Sequence, residues 1–161
     1  MRGLSFTIHD ELYAVDVTLV QKVARKLMIT PVPSAPAEVV GIANLKGRVV
    51  TVINLNKLLN LDNFQEAGNY INTIVFKACS STEDQMGLSI EKPGNLITID
   101  SDEMRSPPLT AESEEIPYIS GVTEINDKFY RIIDIESIRR RYIPGSDIIT
   151  GNSSFGGDEN E

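Results

Sequence analysis

The residues that could support catalysis are few, and the sequence does not group them. His9 is the only histidine, and it lies beside Asp10 and Glu11 after an apolar run, where a turn is predicted. Cys79 is the only cysteine, and it follows Ala78 in a strand-like pattern, so we interpret it as a small buried apolar side chain. Nucleophilic catalysis would therefore depend on one exposed histidine. We predict that the chain is not an enzyme.

The spacings that hold metals or phosphates are also missing from the sequence. It contains no Cys-x-x-Cys, no His-x-x-x-His and no calcium-loop pattern. Its one Gly-Gly pair, Gly156-Gly157, lies in a polar tail and does not join a strand to a long helix. We expect neither a metal nor a cofactor.

Composition narrows the kind of partner. The 161 residues include 15 basic and 23 acidic ones, and the formal net charge of −8 repels a phosphate backbone. The longest apolar runs are strand-sized, Met1-Arg2-Gly3-Leu4 does not open a signal peptide, and a lone cysteine agrees with a reducing compartment. We expect a cytoplasmic protein that neither binds nucleic acid nor inserts into a membrane.

Short alternations of apolar and polar residues predict two hairpins in the first half of the chain. Residues 4–8 and 13–17 form the first, and residues 41–45 and 49–55 form the second. The second hairpin turns at Lys46-Gly47-Arg48, where glycine permits the positive φ that a tight turn requires.

The segments that connect the predicted hairpins also have clear sequence patterns. Prolines at 31, 33 and 36 predict an extended segment between the hairpins. After the second hairpin, Asn56 is the predicted cap of a short helix through Leu61, with Leu58 and Leu59 turned inward. The polar residues 62–69 are interpreted as a linker.

The second half begins with three predicted strands at residues 73–79, 86–90 and 95–99. Pro107 and Pro108 then interrupt the pattern. The acidic stretch Glu112-Ser113-Glu114-Glu115 follows, and we interpret it as a solvated loop in preference to a docking motif.

Residues 41–55 and 121–135 form an internal repeat. The segments align without a gap at a displacement of 80 residues, so that Gly41 matches Gly121 and the apolar positions coincide. The helices that follow repeat as well, with Leu58 matched to Ile138. We infer two small β-barrels or sheets, each built around its own hairpin, with a cleft between them where a ligand could lie.

The last residues differ from the rest of the chain. Arg139-Arg140-Arg141 could bind an anion, but at the end of a short helix we prefer to interpret it as a solvated face that the helix dipole favours. Residues 147–161 are acidic and too polar to pack, so a disordered tail is expected. The domain itself should span residues 1–146, with halves at about 4–61 and about 70–142.

Residues Leu4 to Tyr142 resemble the CheW family of chemotaxis adaptors. The resemblance rests on Tyr13-Ala14-Val15-Asp16-Val17, on Val20-Gln21-Lys22-Val23 and on the second hairpin, Gly41 to Leu55. The family's core motif is a Gly-x-x-Asn-Leu-Arg-Gly turn followed by an apolar strand that ends in Asp-Leu. The Gly121 to Ile135 hairpin also fits the family.

This resemblance implies a mostly β fold: two intertwined five-stranded barrels of the Src-homology-3 type with short connecting helices. It implies a non-catalytic adaptor that couples the cytoplasmic tip of transmembrane chemoreceptors to the regulatory domain of the histidine kinase CheA. It also implies contacts with neighbouring kinase and adaptor molecules in receptor arrays.

By the same resemblance, receptor contact falls on Val20, Lys22, Lys46 and Gly47. The family commonly has an acidic residue at Lys22 and arginine at Lys46, so one charge is reversed and one bidentate fork becomes a point charge. An alternative interpretation is that Lys22 and Lys46 are only solvated strand-edge lysines, which discourage edge pairing.

Other departures leave the pathway open. Thr51 and Asn54 stand where the family often has proline and aspartate. The chain could therefore be a CheW-like paralogue, or a regulatory binding domain, that serves another chemosensory pathway or a non-receptor partner.

Overall fold

The structure is a computed structural model that describes residues 1–60, 70–78, 84–106 and 118–143. Within these ranges, two 3-10 turns, Val17–Leu19 and Ser101–Glu103, accompany ten strands and two short helices. In chain order these elements are β1 Arg2–Ile8, β2 Glu11–Asp16, β3 Val20–Met28, β4 Val39–Leu45, β5 Arg48–Asn54, α1 Leu55–Leu58, β6 Tyr70–Phe76, β7 Gln85–Ser89, β8 Lys92–Thr98, β9 Ile119–Ile125, β10 Lys128–Ile133 and α2 Ile135–Tyr142.

The strands form two five-stranded sheets of identical topology. The first has the order β3-β6-β7-β5-β4, and the second has the order β8-β1-β2-β10-β9. In each sheet one pair is parallel, β5 with β7 and β10 with β2, and the other pairs are antiparallel. The predicted mostly β architecture with two five-stranded units and short helices is confirmed.

Each sheet closes on itself through one isolated bridge. In the first sheet Thr30, just past β3, exchanges two backbone hydrogen bonds of 2.8 Å with Ile42 on β4. In the second sheet Arg105 and Val122 exchange bonds of 2.9 and 2.8 Å. Closure satisfies edge groups that would otherwise invite another chain. We call the closed units barrel 1 (β3-β6-β7-β5-β4) and barrel 2 (β8-β1-β2-β10-β9).

The barrels do not follow the division of the sequence into halves at 4–61 and 70–142. The N-terminal hairpin β1–β2 belongs to barrel 2, and β6 and β7 belong to barrel 1. The reason is the pairing of β2 with β10, which places the start of the chain beside its last strand. Each half of the sequence therefore contributes strands to both barrels.

The repeated hairpins occupy equivalent places in the two barrels. β4 and β9 span residues 39–45 and 119–125, which preserves the displacement found in the sequence. Gly41 and Gly121 lie next to the closing bridges: a Cβ on Gly41 would lie 2.3 Å from the Thr30 carbonyl oxygen. The same addition at Gly121 would lie 3.2 Å from the Arg105 carbonyl oxygen. The matched glycines are thus explained by close approach of the closing strand.

The apolar core has three parts. A small cluster fills barrel 1 around Val50 and Val52, and a smaller one fills barrel 2 around Ala14, Ile99 and Ile132. The largest cluster lies between the barrels and draws on both of them. Its fully buried members include Phe6, Ile8, Val15, Ile53, Leu55, Ile74, Phe76, Leu88 and Ile138. Burial of these faces holds the two barrels together as one unit.

The helix cap predicted at Asn56 is wrong by two residues. Asn54 is the cap, since its side-chain oxygen accepts a hydrogen bond of 3.3 Å from the Lys57 amide, and α1 begins at Leu55. Asn56 is instead buried inside the helix, whereas Leu58 and Leu59 face inward as predicted. Asp134 caps α2 in the same way, at the position that matches Asn54 in the repeat.

Several predictions lie outside the described residues. They are the linker at 62–69, the burial of Cys79, the loop at Glu112 to Glu115 and the tail at 147–161. None of the helices in the described ranges has the length and apolar character needed to cross a bilayer.

Candidate functional site

His9, the single histidine of the sequence, is held by a hydrogen bond of its own backbone. It lies in the β1–β2 turn, where its backbone amide donates a 3.0 Å hydrogen bond to the Glu91 carboxylate. Its Nε2 atom is buried and has no hydrogen-bond partner among the described residues. In the described ranges no three His, Cys, Asp or Glu side chains come together in a way that could hold a metal ion.

The predicted turn at Lys46 and Gly47 is a two-residue hairpin with positive φ at both positions. Lys46 has φ of 53° and Gly47 has φ of 83°. These values are typical of the type I′ turn, which matches the twist of the flanking strands. The Gly47 amide donates a 2.9 Å hydrogen bond to the side-chain oxygen of Asn44. Gly47 adopts its positive φ without steric strain, whereas Lys46 adopts its positive φ at a steric cost.

Val20 and Lys22 lie at the beginning of β3 and differ in environment. Val20 is half-buried, is paired with Phe76 of β6 and packs against the core between the barrels. Lys22 is exposed and is paired with Val75. A half-buried apolar side chain beside an exposed cation is suited to binding a protein segment.

All four predicted receptor-contact residues lie at one end of barrel 1, the edge formed by the β4–β5 turn and the beginning of β3. The pairings show that β3, β5 and β7 run in one direction and that β4 and β6 run in the other. The beginning of β3, with Val20 and Lys22, therefore lies at the same edge as the Lys46-Gly47 turn. They do not form a single hydrogen-bonded row, because β6 and β7 stand between β3 and β5.

Arg139 corrects the interpretation of the three consecutive arginines as a solvated face. Its side chain is only 8% exposed, and it donates hydrogen bonds to the Glu136 carboxylate at 2.9 Å and to the Lys77 carbonyl oxygen at 3.2 Å. Arg140 and Arg141 are exposed. The first arginine is a structural link from α2 to the end of β6, and the other two lie on the surface.

A polar cluster at the end of α2 joins the two barrels, and no pattern in the sequence predicted it. The Tyr142 hydroxyl donates a 2.6 Å hydrogen bond to Glu38, which precedes β4 in barrel 1. Burial, followed by the hydrogen bond to Glu38, raises the pKa of the Tyr142 phenol. The Arg141 guanidinium lies 5.5 Å from the centre of the Tyr142 ring and donates to the Tyr118 hydroxyl at 2.8 Å.

A second surface feature, also missed from the sequence, is a groove beside the β9–β10 hairpin of barrel 2. It has a volume of about 460 Å³ and is lined by Asp102, Glu103, Arg105, Val122, Glu124 and Phe129. Phe129 is 55% exposed, although aromatic side chains of this size are usually buried. It matches Val49 in the repeat, which is also an exposed apolar residue. The sequence signal for the groove was an apolar residue, Val49 or Phe129, two positions after the turn in both copies of the repeat.

Comparison with known proteins places this geometry in a family. The family model for the CheW-like domain matches residues 2–141. The chemotaxis protein CheW of Treponema pallidum is 26% identical over 137 residues, which are 84% of this chain and 79% of that protein. The chemotaxis protein CheW of Thermotoga maritima is 43% identical over 58 residues, which are 36% of this chain and 38% of that protein.

A solved structure agrees with both. The scaffolding protein TtCheW of Thermoanaerobacter tengcongensis superposes with a TM-score of 0.70 and 25% sequence identity. The match covers 82% of this chain and 87% of that one. With two closed five-stranded barrels around a shared core and a family match over almost the whole described sequence, the chain belongs to the CheW family.

Proposed function

We propose that this protein is a cytoplasmic, non-catalytic scaffold of chemotaxis signalling, which couples the cytoplasmic tips of chemoreceptors to the regulatory domain of the histidine kinase CheA. The observation that carries the proposal is the edge of barrel 1, where half-buried Val20, exposed Lys22 and the Lys46-Gly47 turn lie together. The relatives named as chemotaxis proteins and the solved relative named as a scaffolding protein support it.

The receptor side of the proposal rests on how an α-helical hairpin would be held. A receptor tip offers apolar side chains along one face and polar ones beside them, which suits a half-buried apolar group flanked by cations. Val20 supplies the apolar contact, and Lys22 and Lys46 supply charges that orient the partner. The turn is exposed at Gly47, where the chain leaves open space around the backbone.

The kinase side rests on the groove of barrel 2. Phe129 and Val122 give it an apolar centre, and carboxylates at Asp102, Glu103 and Glu124 surround them. An exposed aromatic anchor with a polar rim is the usual composition of a protein-binding hot spot. The two partners would then bind to different barrels, so that one molecule can bridge them.

The first experiment measures whether both partners bind. Receptor cytoplasmic fragments and the CheA regulatory domain from the same cell are titrated against the purified protein by calorimetry. We expect saturable binding of each at or below tens of micromolar, with a ternary complex when both are present. Absence of both binary complexes at these concentrations contradicts the proposal.

The second experiment separates the two surfaces. Phe129→Ala should weaken kinase binding at least tenfold, because loss of a hot-spot anchor costs about 2 kcal/mol or more, and it should leave receptor binding unchanged. Leu96→Ala removes a side chain that is similarly exposed, at 52%, on β8 of the same barrel, and it serves as the matched control. Equal effects of the two substitutions would argue against the groove as the kinase site.

A second candidate function is a regulatory binding domain or paralogue that serves another chemosensory pathway or a non-receptor partner. It is favoured by the exposed lysine at position 22, where the family commonly has an acidic residue. The double substitution Lys22→Glu and Lys46→Arg separates the candidates. Tighter receptor binding identifies a divergent adaptor, whereas unchanged binding favours a different partner.

A further inference from the structure

The negative charge of the chain lies outside the described part of the fold. The described ranges contain all 15 basic residues but only 13 of the 23 acidic ones, so they carry a formal charge of +2 in a chain of −8. The other ten acidic residues stand in residues 61–69, 79–83, 107–117 and 144–161, which contain no basic residue. The described fold and these segments are therefore complementary in charge.

Barrel 1 carries most of the positive charge. Between the beginning of β3 and the end of β7, the described residues include seven exposed basic side chains and two acidic ones, Glu38 and Asp84. The seven basic residues are Lys22, Arg25, Lys26, Lys46, Arg48, Lys57 and Lys77. The repeated hairpin of barrel 2 differs, since Glu124 and Asp127 lie at its turn. An acidic segment is thus attracted to barrel 1 and repelled by the matching turn of barrel 2.

Three of these cations, Lys26, Lys46 and Arg48, form a surface that we call the basic face. Lys46 belongs to the β4–β5 turn, and Arg48 begins β5 directly after it. The antiparallel bridge of Thr30 with Ile42 closes the barrel between β3 and β4. Lys26 and Lys46 each stand four residues from this bridge on the same side of it, so they lie at the same level. None of the three side chains of the basic face has a hydrogen-bond or ion-pair partner among the described residues.

The exposed arginines at the end of α2 already have partners. The Arg140 guanidinium donates a 3.3 Å hydrogen bond to the Ser137 hydroxyl. The Arg141 guanidinium donates one of 2.8 Å to the Tyr118 hydroxyl. The basic face is therefore the more available cationic surface for a carboxylate.

The acidic segment that follows α2 is long enough to reach the basic face. Its end at α2 is fixed to barrel 1, since the Tyr142 hydroxyl donates a 2.6 Å hydrogen bond to Glu38, just before β4. The seven residues of β4 lead from there to the basic face and span about 23 Å at about 3.3 Å per residue. Asp158 stands fifteen residues after Ile143, and a chain of that length spans up to about 50 Å. The acidic residues of this segment are Asp147, Asp158, Glu159 and Glu161.

The other three acidic segments are placed less favourably. Residues 61–69 follow α1 at the end of barrel 1 opposite to the β4–β5 turn. Residues 107–117 join two parts of barrel 2, and residues 79–83 contain a single carboxylate, Glu83. The segment after α2 combines several carboxylates with sufficient length.

We propose that residues 144–161 bind to the basic face through their carboxylates and compete there with the receptor. The competition rests on the proposed function, because Lys46 belongs both to the basic face and to the proposed receptor contact. Exposed ion pairs are individually weak, but a tethered segment is present at an effective concentration on the order of millimolar. A receptor tip can therefore displace the segment, and the apparent receptor affinity is lowered according to the fraction of time for which the face is covered.

The test neutralises the segment in the full chain. The tail variant carries Asp147→Asn, Asp158→Asn, Glu159→Gln and Glu161→Gln. The control variant carries Asp62→Asn, Glu112→Gln, Glu114→Gln and Glu115→Gln, which raises the net charge equally in other segments. Nitrogen-15 NMR spectra report on the backbone amides of the basic face, and calorimetry measures the affinity for receptor cytoplasmic fragments.

The tail variant should differ from the native protein in both measurements. We expect shifted amide signals at Lys26, Lys46, Gly47 and Arg48. We also expect receptor binding about threefold tighter than native, which corresponds to a face that is covered for about two thirds of the time. High salt should move the native spectrum towards that of the tail variant, because screening weakens the contact. The control variant should show neither change.

Substitutions on the other side of the contact complete the test. In a background of Lys26→Gln with Arg48→Gln, the tail substitutions should no longer increase receptor affinity, because the two sets of residues act on one contact. A background of Lys57→Gln with Lys92→Gln removes two exposed charges elsewhere and should keep the threefold gain. Circular dichroism checks that each variant is folded.

Each outcome bears on a different part of the proposal. Equal spectra and equal receptor affinities of the native protein and the tail variant overturn this inference and leave the proposed function standing. Shifted signals without a gain in affinity overturn the competition, and so does weaker receptor binding by the tail variant. If no receptor fragment binds the native protein, the proposed function and the competition are both overturned, whereas the amide signals still decide whether the segment contacts the basic face. Shifts that depend on protein concentration contradict a contact within one chain and identify a second copy as the occupant.

Discussion

At position 46, the residue that would be best for stability differs from the lysine that the proposed function uses. It occupies a left-handed backbone position that the matching residue of barrel 2, Asn126, adopts with less strain. Nothing in its surroundings compensates, because its side chain is exposed. The backbone conformation therefore favours asparagine at this position, whereas the proposed partner binding favours lysine.

Substitution of Lys46 by asparagine should raise the free energy of unfolding by about 0.5–1 kcal/mol, because asparagine tolerates positive φ better than lysine does. Urea unfolding followed by circular dichroism measures the change. The reciprocal substitution, Asn126→Lys, should lower the free energy of unfolding by a similar amount. A stabilising effect of both substitutions would show that backbone strain does not decide the choice of residue here.

Tyr142 makes the stability of the protein fall at high pH. Burial and the hydrogen bond to Glu38 raise the pKa of its phenol above the value of about 10 that applies in the unfolded chain. A raised folded-state pKa means that the stabilisation is fully present below pH 10 and is lost as the pH rises above it. Its loss would loosen the polar link between α2 and Glu38.

The expected result is that the native protein is more stable than Tyr142→Phe at pH 8 and that this difference shrinks as the pH is raised past about 10. Denaturant unfolding of both proteins across this range checks it, and the remaining tyrosines cancel in the comparison. A difference that is constant from pH 8 to pH 11 is the contrary result.

At the scale of elements, the closing bridges explain the repeated glycines. The bridge segments approach β4 and β9 so closely that a side chain at either glycine would meet the backbone or a neighbouring side chain. The two sites differ in what must move. At Gly41 the obstacle is the Thr30 carbonyl group, whereas at Gly121 it is mainly the flexible end of Met104.

Gly41→Ala should therefore destabilise the protein by about 2–3 kcal/mol or more, and Gly121→Ala by about 1 kcal/mol, because a methionine side chain can shift but a hydrogen-bonded carbonyl cannot. Thermal unfolding of the two variants gives the comparison. Equal destabilisation would mean that the two closing bridges tolerate an added methyl group equally well.

At the scale of the whole molecule, the N-terminal hairpin completes the barrel that the end of the chain begins. In barrel 1 the connection runs from α1 directly to β6 and β7. In barrel 2 the matching strands after α2 are β1 and β2, from the opposite end of the sequence. The two barrels thus have the same strand order and differ in where one hairpin stands in the chain, after the helix in barrel 1 and at the start of the sequence in barrel 2.

A circular permutant that joins the C-terminal end to Met1 and begins at Val17 should fold to the same structure. It restores to barrel 2 the chain order of barrel 1, and the join can use the residues that follow α2. Circular dichroism and a single cooperative melting transition are the expected observations. Deletion of residues 1–16 without reconnection should abolish folding, because Phe6, Ile8, Tyr13 and Val15 leave the core between the barrels.

The sequence alone determined the turns, the repeat and every described strand except β3, which carries Val20 and Lys22 and was not predicted. Alternation with period two defines a strand wherever one face is buried, and the hairpins at 41–55 and 121–135 are local enough for their turns to fix their register. The family resemblance added the two-barrel fold and pointed to Val20, Lys22, Lys46 and Gly47, whose role in binding stays a prediction.

Only the tertiary structure decided which strands share a barrel and which polar groups are buried. The pairing of β2 with β10 joins residues more than a hundred positions apart, and no spacing in the sequence specifies it. The same holds for Arg139, which reaches the Lys77 carbonyl, and for Tyr142, which reaches Glu38. Long-range pairing depends on the packing of whole elements, so local patterns do not contain it.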